Sequence, residues 1–202
     1  LDEGAYGKLT ERGKLASERA LGTAEYLIKT ISNLLDAERM EKGAFELCFE
    51  KVKFENLLEE ALLSLDAEIR KKNIQIHCDC ADIIFEVDPS RMIQVLGNVI
   101  ENAINFSDKD GAVTIRAKKI LNLCRIEIID KGQGIPVHML EKVFEPYIQI
   151  ERYASDRRGF GLGLAIARQL TAKHGGTIAA ENVEVGGCRI IIEVPLVPEG
   201  EA

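Results

Sequence analysis

The sequence predicts an α+β two-layer sandwich, a mixed sheet covered on one face by helices, with one long helix ahead of it. Two observations lead there. From residue 45 onward the chain runs through a series of short strand patterns, joined by helices that can cover only one face of the resulting sheet. Before that point the period is different. Leu27, Ile28, Ile31, Leu34 and Leu35 repeat at coiled-coil spacing, weakly extended by Leu15, Ala20 and Leu21. The expected division is 1–43 and 44–202.

The first forty residues read as one helix, with Gly13 and Gly22 weakening its early part and Gly43 after Lys42 stopping it. Its stripe has no partner helix in the sequence, so it is expected to pack on another chain or on a segment outside it. Phe45 to Val52 then reads as a strand, and Phe54 to Lys71 as an amphipathic helix with Leu57, Leu58, Ala61, Leu62 and Leu65 inward. Ile74 to Cys80 and Ile83 to Val87 read as strands. Asp88-Pro89-Ser90 starts a helix running to about Phe106, with proline in its first turn. Ala112 to Lys118 and Leu123 to Ile129 form a strand pair, followed by a short helix over Val137 to Val143. Leu162 to His174 is a helix ending at Gly175-Gly176, and Thr177 to Glu181 with Cys188 to Val194 closes as a hairpin.

Composition narrows the function. A formal net charge of -7 disfavours generic nucleic-acid binding, which needs clustered Lys and Arg. No apolar run approaches the ~20 residues that span a bilayer, and no signal peptide opens the sequence. Residue 1 is Leu, so the chain is expected to begin inside a longer protein. This part is expected in the cytoplasm, with membrane anchorage of the parent left open. Five cysteines, an odd number in mostly apolar segments, suit reduced thiols. Cys78 and Cys80 share a strand parity with Ile74 and Ile76, so both are expected inward. No metal site is expected around His77-Cys78-Asp79-Cys80, because no second ligand pair stands at useful spacing.

Three motifs carry chemistry. Asp130-Lys131-Gly132-Gln133-Gly134-Ile135-Pro136 follows a strongly apolar strand. A carboxylate there can accept from an exocyclic amine while the glycines admit a flat ring, although a plain glycine turn reads equally well. Gly159-Phe160-Gly161-Leu162-Gly163-Leu164 opens a helix, where exposed N–H groups and the helix dipole favour an anion such as a triphosphate. It is neither a P-loop nor a dinucleotide fingerprint, and a flexible hinge is the plainer reading. Gln94, Asn98, Glu101, Asn102 and Asn105 lie on the helix after Pro89, with Asn98 and Asn102 sharing a face. An amide oxygen is a hard ligand suited to Mg²⁺, and a solvated polar face is the alternative.

Taken in order, Asn98/Asn102, Asp130-x-Gly132-x-Gly134 and Gly159-x-Gly161-x-Gly163 resemble the boxes of the sensor histidine kinase ATP-binding domain. Phe144-Glu145-Pro146-Tyr147 is similar to that family's phenylalanine box, and the run from Asp88 to Leu96 to its lead-in. Leu34 to Gly43 resembles the end of the second helix of its dimerisation and phosphotransfer hairpin. The resemblance implies a Bergerat-type fold, shared with gyrase and mismatch-repair ATPases, and a kinase using ATP and Mg²⁺. Asp130 would bind the adenine amine, with Gly132, Gly134 and Ile135 beside the ring. Asn102 would coordinate Mg²⁺ and Asn98 would sit near the phosphates. Tyr147 to Arg158 would form a mobile lid, whose Arg152, Arg157 and Arg158 are candidate phosphate contacts. Gly159, Gly161, Leu162, Gly163 and Leu164 would line the phosphates.

The sequence departs from the pattern where Asn105 replaces a usual basic residue and where Phe160 replaces a small one. The acceptor histidine of the family sits on a helix upstream, whereas His77, His138 and His174 read as structural. The implied partners are that acceptor helix, a response regulator and a second copy through the N-terminal helix. Two other functions stand beside the kinase. One is a hydrolytic clamp, disfavoured because Asn98 stands where such enzymes carry a water-activating Glu. The other is a non-catalytic nucleotide-binding scaffold or switch, kept open by Asn105 and the absent acceptor.

Overall fold

The computed structural model describes residues 46–150, 161–184 and 186–197, with isolated positions between 10 and 31. The chain divides into two compact units, 1–43 and 44–202. In the first, the described positions from Arg12 to Ile31 are helical. Thr10 caps the start, its Oγ1 accepting from the Gly13 N–H at 3.2 Å. The helix that contains Arg12 therefore begins after Thr10. Leu21, Ile28 and Ile31 are exposed on it. Leu15, Leu27, Leu34, Leu35 and Gly43 lie outside the described residues.

In the second unit, β1 (Glu50–Lys53) pairs antiparallel with β3 (Ile84–Val87) as a small separate sheet. The main sheet has five strands in the order β2-β4-β5-β7-β6. These are β2 (Gln75–Cys80), β4 (Ala112–Ile120), β5 (Leu123–Asp130), β6 (Thr177–Asn182) and β7 (Cys188–Pro195). Only the edge strand β2 runs parallel to its neighbour, so the sheet is mixed. Helices α1 (Phe54–Ser64), α2 (Asp66–Lys72), α3 (Pro89–Phe106) and α4 (Gly163–Lys173) complete the unit.

Strict alternation builds the core. Along β5, Cys124, Ile126 and Ile128 are buried while Arg125 and Glu127 take the other parity. α3 buries Met92, Val95, Leu96, Val99, Ile100 and Ile104, each worth about 1.5–3 kcal/mol by removal from water. The other sheet face is charged. Arg125 lies 3.3 Å from Glu127 and 3.5 Å from Glu193. Such pairs add little stability but keep that face wetted.

Several expected boundaries change. The strand expected from Phe45 begins at Glu50, because the Cys48 N–H donates to Asp88 Oδ2 at 3.0 Å instead of to a strand. The single helix expected over 54–71 breaks at Leu65, where the backbone leaves the helical region at φ -110 and ψ 8. Ser64 Oγ donates to the Ala61 carbonyl at 2.7 Å, a back-bond that bends helices, and Leu65 stays buried across the break. The short helix expected over 137–143 is two 3₁₀ turns, Val137–Met139 and Lys142–Phe144. Each turn closes on i to i+3 bonds, among them the Met139 N–H to the Pro136 carbonyl at 2.7 Å and the Glu145 N–H to the Lys142 carbonyl at 2.9 Å. Cys78 is exposed rather than inward. Its register partner Ile115 is buried, but Cys78 stands on β2 at the edge of the sheet.

Candidate functional site

The site is built around α3, which is fixed at both ends. At its start Asp88 is the N-cap, Oδ1 accepting from the Arg91 N–H at 3.1 Å and from Ser90 Oγ at 2.8 Å. The Asp88 N–H donates to His174 Nε2 at 3.1 Å, and His174 Nδ1–H donates to the Leu170 carbonyl at 2.8 Å. His174 thus joins the end of α4 to the start of α3 as a neutral imidazole, with Phe49 edge-on at 5.5 Å. At the far end Lys72 Nζ donates to the carbonyls of Ile104, Asn105 and Ser107 at 2.9, 2.9 and 3.0 Å. A cation there satisfies carbonyls that the helix leaves open and complements its dipole. The sequence offered no sign of this, since Lys72 reads as an ordinary helix-end lysine.

Burial holds the His174 pKa below its ordinary value of 6.5, against opposing contributions from the Leu170 carbonyl and Asp88. Asp88 is pushed up by burial, yet the Cys48 N–H, the Ser90 hydroxyl and the Arg91 N–H leave it net below the usual range. The sign follows from linkage. Below pH 6.5 the unfolded chain takes up a proton at this histidine that the folded chain refuses, so stability falls with pH. The contribution is whole above that value and lost as pH drops toward the depressed folded one. A melt at pH 5.5 should show a loss of up to about 1 kcal/mol relative to pH 7.5. That difference should shrink in His174→Gln, whose amide oxygen can still accept from Asp88. An unchanged pH dependence in the variant would remove His174 from this role.

On α3, Asn98 is buried, and Asn102 and Asn105 are half-buried one and two turns on. Among the described residues, Asn98 Nδ2 has no hydrogen-bond partner. The first residue of α4 lies against it. A Cβ on Gly163 would stand 3.8 Å from Asn98 Oδ1. The second glycine motif and the first asparagine are therefore brought together, with the beginning of α4 against the Asn98 side chain. Just ahead, Gly161 has φ +69, and a Cβ there would lie 2.5 Å from the Ile148 carbonyl oxygen. The Tyr147 N–H donates to the Gly161 carbonyl at 3.0 Å, with Tyr147 itself at φ 65. Tyr147 and Gly161 are thus joined through the backbone. Leu162 is buried and Leu164 half-buried. Arg152, Arg157, Arg158, Gly159 and Phe160 lie outside the described residues. Behind Tyr147, the buried Phe144 ring packs under Arg168 of α4, its guanidinium carbon 5.8 Å from the ring centre.

Asp130, buried at the end of β5, accepts at Oδ1 from the N–H groups of Gly132 at 2.8 Å and Cys188 at 3.2 Å. This fixes the carboxylate's orientation. The loop after it is pressed against protein. A Cβ on Gly132 would stand 2.3 Å from the Phe106 carbonyl oxygen at the end of α3. Gly134, at φ +71, would collide with Asn182 Oδ1 at 2.8 Å. Asn182 also accepts from the Ile135 N–H at 2.8 Å and donates to the Ile135 carbonyl at 2.6 Å. Both glycines are thus required by neighbouring protein as well as suited to a flat ring. Asn182 and the Cys188 N–H escaped the sequence reading, because an Asn before a Gly-Gly turn looks like turn chemistry alone.

Residues 87–198 match the model of the histidine kinase-, DNA gyrase B- and HSP90-like ATPase family. The chain belongs to this family. Within it, the chain carries the ATP-binding catalytic domain of a sensor histidine kinase. The catalytic domain of histidine kinase ThkA is 31% identical, with a TM-score of 0.67 over 76% of this chain and 100% of that one. Full-length ShkA, crystallised with AMPPNP, is 25% identical with a TM-score of 0.78 over 96% of this chain and 41% of that one. In sequence, the circadian input-output histidine kinase CikA of Synechococcus elongatus is 30% identical over 95% of this chain and 26% of its own. Sensor protein DivL of Caulobacter vibrioides is 28% identical over 93% of this chain and 24% of its own. The chain thus spans about a quarter of the length of these two curated relatives.

The residues present fit an ATP-binding domain. A buried, unpartnered amide beside a helix start suits a phosphate, and an oriented carboxylate beside a close-pressed glycine loop suits an amino-bearing ring. Among the described residues no helix is long and apolar enough to cross a membrane.

Proposed function

We propose that the chain binds ATP with Mg²⁺ and presents the γ-phosphoryl group to a histidine on a helix outside these 202 residues. The observation that carries this is Asn98, whose buried Nδ2 lacks a partner among the described residues while its side chain lies beside the N-terminus of α4. A buried donor left open calls for an acceptor, and a phosphate oxygen supplies one. Asp130 would take the adenine amine, with Gly132, Gly134 and Ile135 beside the ring. Asn102 would give Mg²⁺ an amide oxygen, the hard donor this ion prefers. Gly161, Leu162, Gly163 and Leu164 would border the phosphates, with Tyr147, Asn105, Arg158 and Gly159 around them. Bound ATP supplies the phosphoryl group. The protein's part is to hold it in line, neutralise its charge and keep water off. Asn98 cannot take a proton from water at neutral pH, which favours transfer over hydrolysis.

None of the chain's own histidines suits the acceptor role. His77 is in edge strand β2 and His138 in a 3₁₀ turn. Both ring nitrogens of His174 are engaged. Residues 1–43 read as part of the dimerisation and phosphotransfer hairpin, through which two copies would pair. ThkA was solved with the response regulator TrrA and is 27% identical to this chain, which supports a response regulator as the downstream partner.

The test is calorimetric titration with Mg·ATP, followed by incubation with the parent kinase's acceptor helix. Saturable binding and phosphohistidine on that helix are expected. Binding without transfer would favour a nucleotide-sensing switch, and no binding at all would sink the kinase reading.

A further inference from the structure

The hairpin joining β6 to β7 grips the Asp130 loop at two points. At one, the Cys188 N–H donates to Asp130 Oδ1 at 3.2 Å. At the other, the Asn182 amide closes a two-point clasp on the Ile135 backbone, accepting at 2.8 Å and donating at 2.6 Å. The hairpin tip is itself tightly turned, with Gly186 at φ 91 and Gly187 at φ 95. A Cβ on Gly187 would stand 2.0 Å from the Asp130 carbonyl oxygen, so the tip lies directly on the loop's first residue. Between the two grips Gly134 lies so close that any side chain there would displace the Asn182 amide.

From this we infer that Asn182 is a positioning residue for nucleotide binding, setting the Asp130–Ile135 loop against the base without touching the nucleotide. The inference rests on the proposed ATP site and deepens it. Asn182 is exposed and lies in a different hairpin from every box of the family pattern. Only a side chain with a donor and an acceptor at Asn length can meet the N–H and the carbonyl of one residue together. With the clasp open, the loop must be ordered by the incoming nucleotide itself, and apparent affinity drops by the fraction of loops already in place.

The test pairs Asn182→Ala with the isosteric Asn182→Asp. The aspartate can still accept from the Ile135 N–H but sets a negative oxygen against its carbonyl. Both variants should keep the melting temperature close to that of the unaltered chain, because the residue is exposed. Without nucleotide, amide hydrogen exchange at Ile135 should speed up in Asn182→Ala. ATP affinity should fall about fivefold in both, the loss expected from one to two modest hydrogen bonds. Gly134→Ala should weaken binding less in the Asn182→Ala background than alone, since the atom it collides with is gone. Unchanged Ile135 exchange in Asn182→Ala would show that the clasp does not hold the loop. Faster exchange with ATP affinity unchanged in both variants would show that it has no bearing on the site. Either result overturns the inference while leaving the ATP site standing. No ATP binding by the unaltered chain would overturn the site and the inference together.

Discussion

Asp130→Asn should lower ATP affinity about a hundredfold, near 2.7 kcal/mol, while the domain stays folded. The geometry fixes how the new amide must sit. Two backbone N–H groups, from Gly132 and Cys188, point at the Oδ1 position. Only the oxygen of asparagine can occupy it, so the NH₂ group is forced into the position of the other carboxylate oxygen. An adenine amine then meets a donor where it needs an acceptor. The variant therefore loses a hydrogen bond to a charged group, about 1.5–3 kcal/mol, and sets a donor against the base's own donor. The fold loses less, because both N–H bonds survive in weaker, neutral form. Calorimetric titration with Mg·ATP, beside melting curves of both proteins, reads the two effects separately. An affinity within about threefold of the unaltered chain would take the base-binding role away from Asp130.

The features that stood out in the sequence are those whose cause is local. Asp88-Pro89 announces α3 because cap and first-turn proline act within three residues of the helix start, and the structure shows that cap bonded to the Arg91 N–H. Strand alternation along β5 was equally plain, since each residue's parity fixes its face. The ordered boxes pointed to a nucleotide site because each needs particular residues at short spacing. Distance along the chain hid the rest. Lys72 reaches carbonyls 32 to 35 residues away, and Asn182 holds Ile135 across 47. Neither partner can be named until the strands are in register. The break at Leu65 was hidden for another reason. Its leucine is buried on either reading, and the break shows only in the Leu65 backbone and the Ser64 back-bond beside it. Gly132 and Gly134 show a third case. Their presence was legible, but the atoms that exclude a side chain belong to Phe106 and Asn182, residues far off in sequence.

Asn98→Leu should make the domain more stable and nearly unable to bind ATP. Asn98 is 6% exposed, and its Nδ2 has no partner among the described residues. A buried donor left without an acceptor costs about 1–3 kcal/mol, because it gave up water and received nothing. Leucine has the same branching and carries no polar atom, so that penalty disappears, although its methyl groups are bulkier than the amide's oxygen and nitrogen. Gly163 does not crowd the site, since even a Cβ added to it would stand 3.8 Å from the amide oxygen. The melting temperature should therefore rise, by an amount equivalent to about 1–2 kcal/mol. Binding moves the other way. If the amide is the group that meets a phosphate, its loss removes a hydrogen bond to a charged oxygen and lines the pocket with carbon, weakening ATP by about a hundredfold. Saturating ATP should then stabilise the unaltered chain and leave the variant's melt almost unmoved. A lowered melting temperature would mean that the amide is already satisfied in the folded protein. Undiminished ATP affinity would mean that its donor faces something other than phosphate. The expected combination, a gain in stability joined to a loss of binding, is what a residue held unpaired for its ligand must produce, and a merely structural asparagine gives neither half of it.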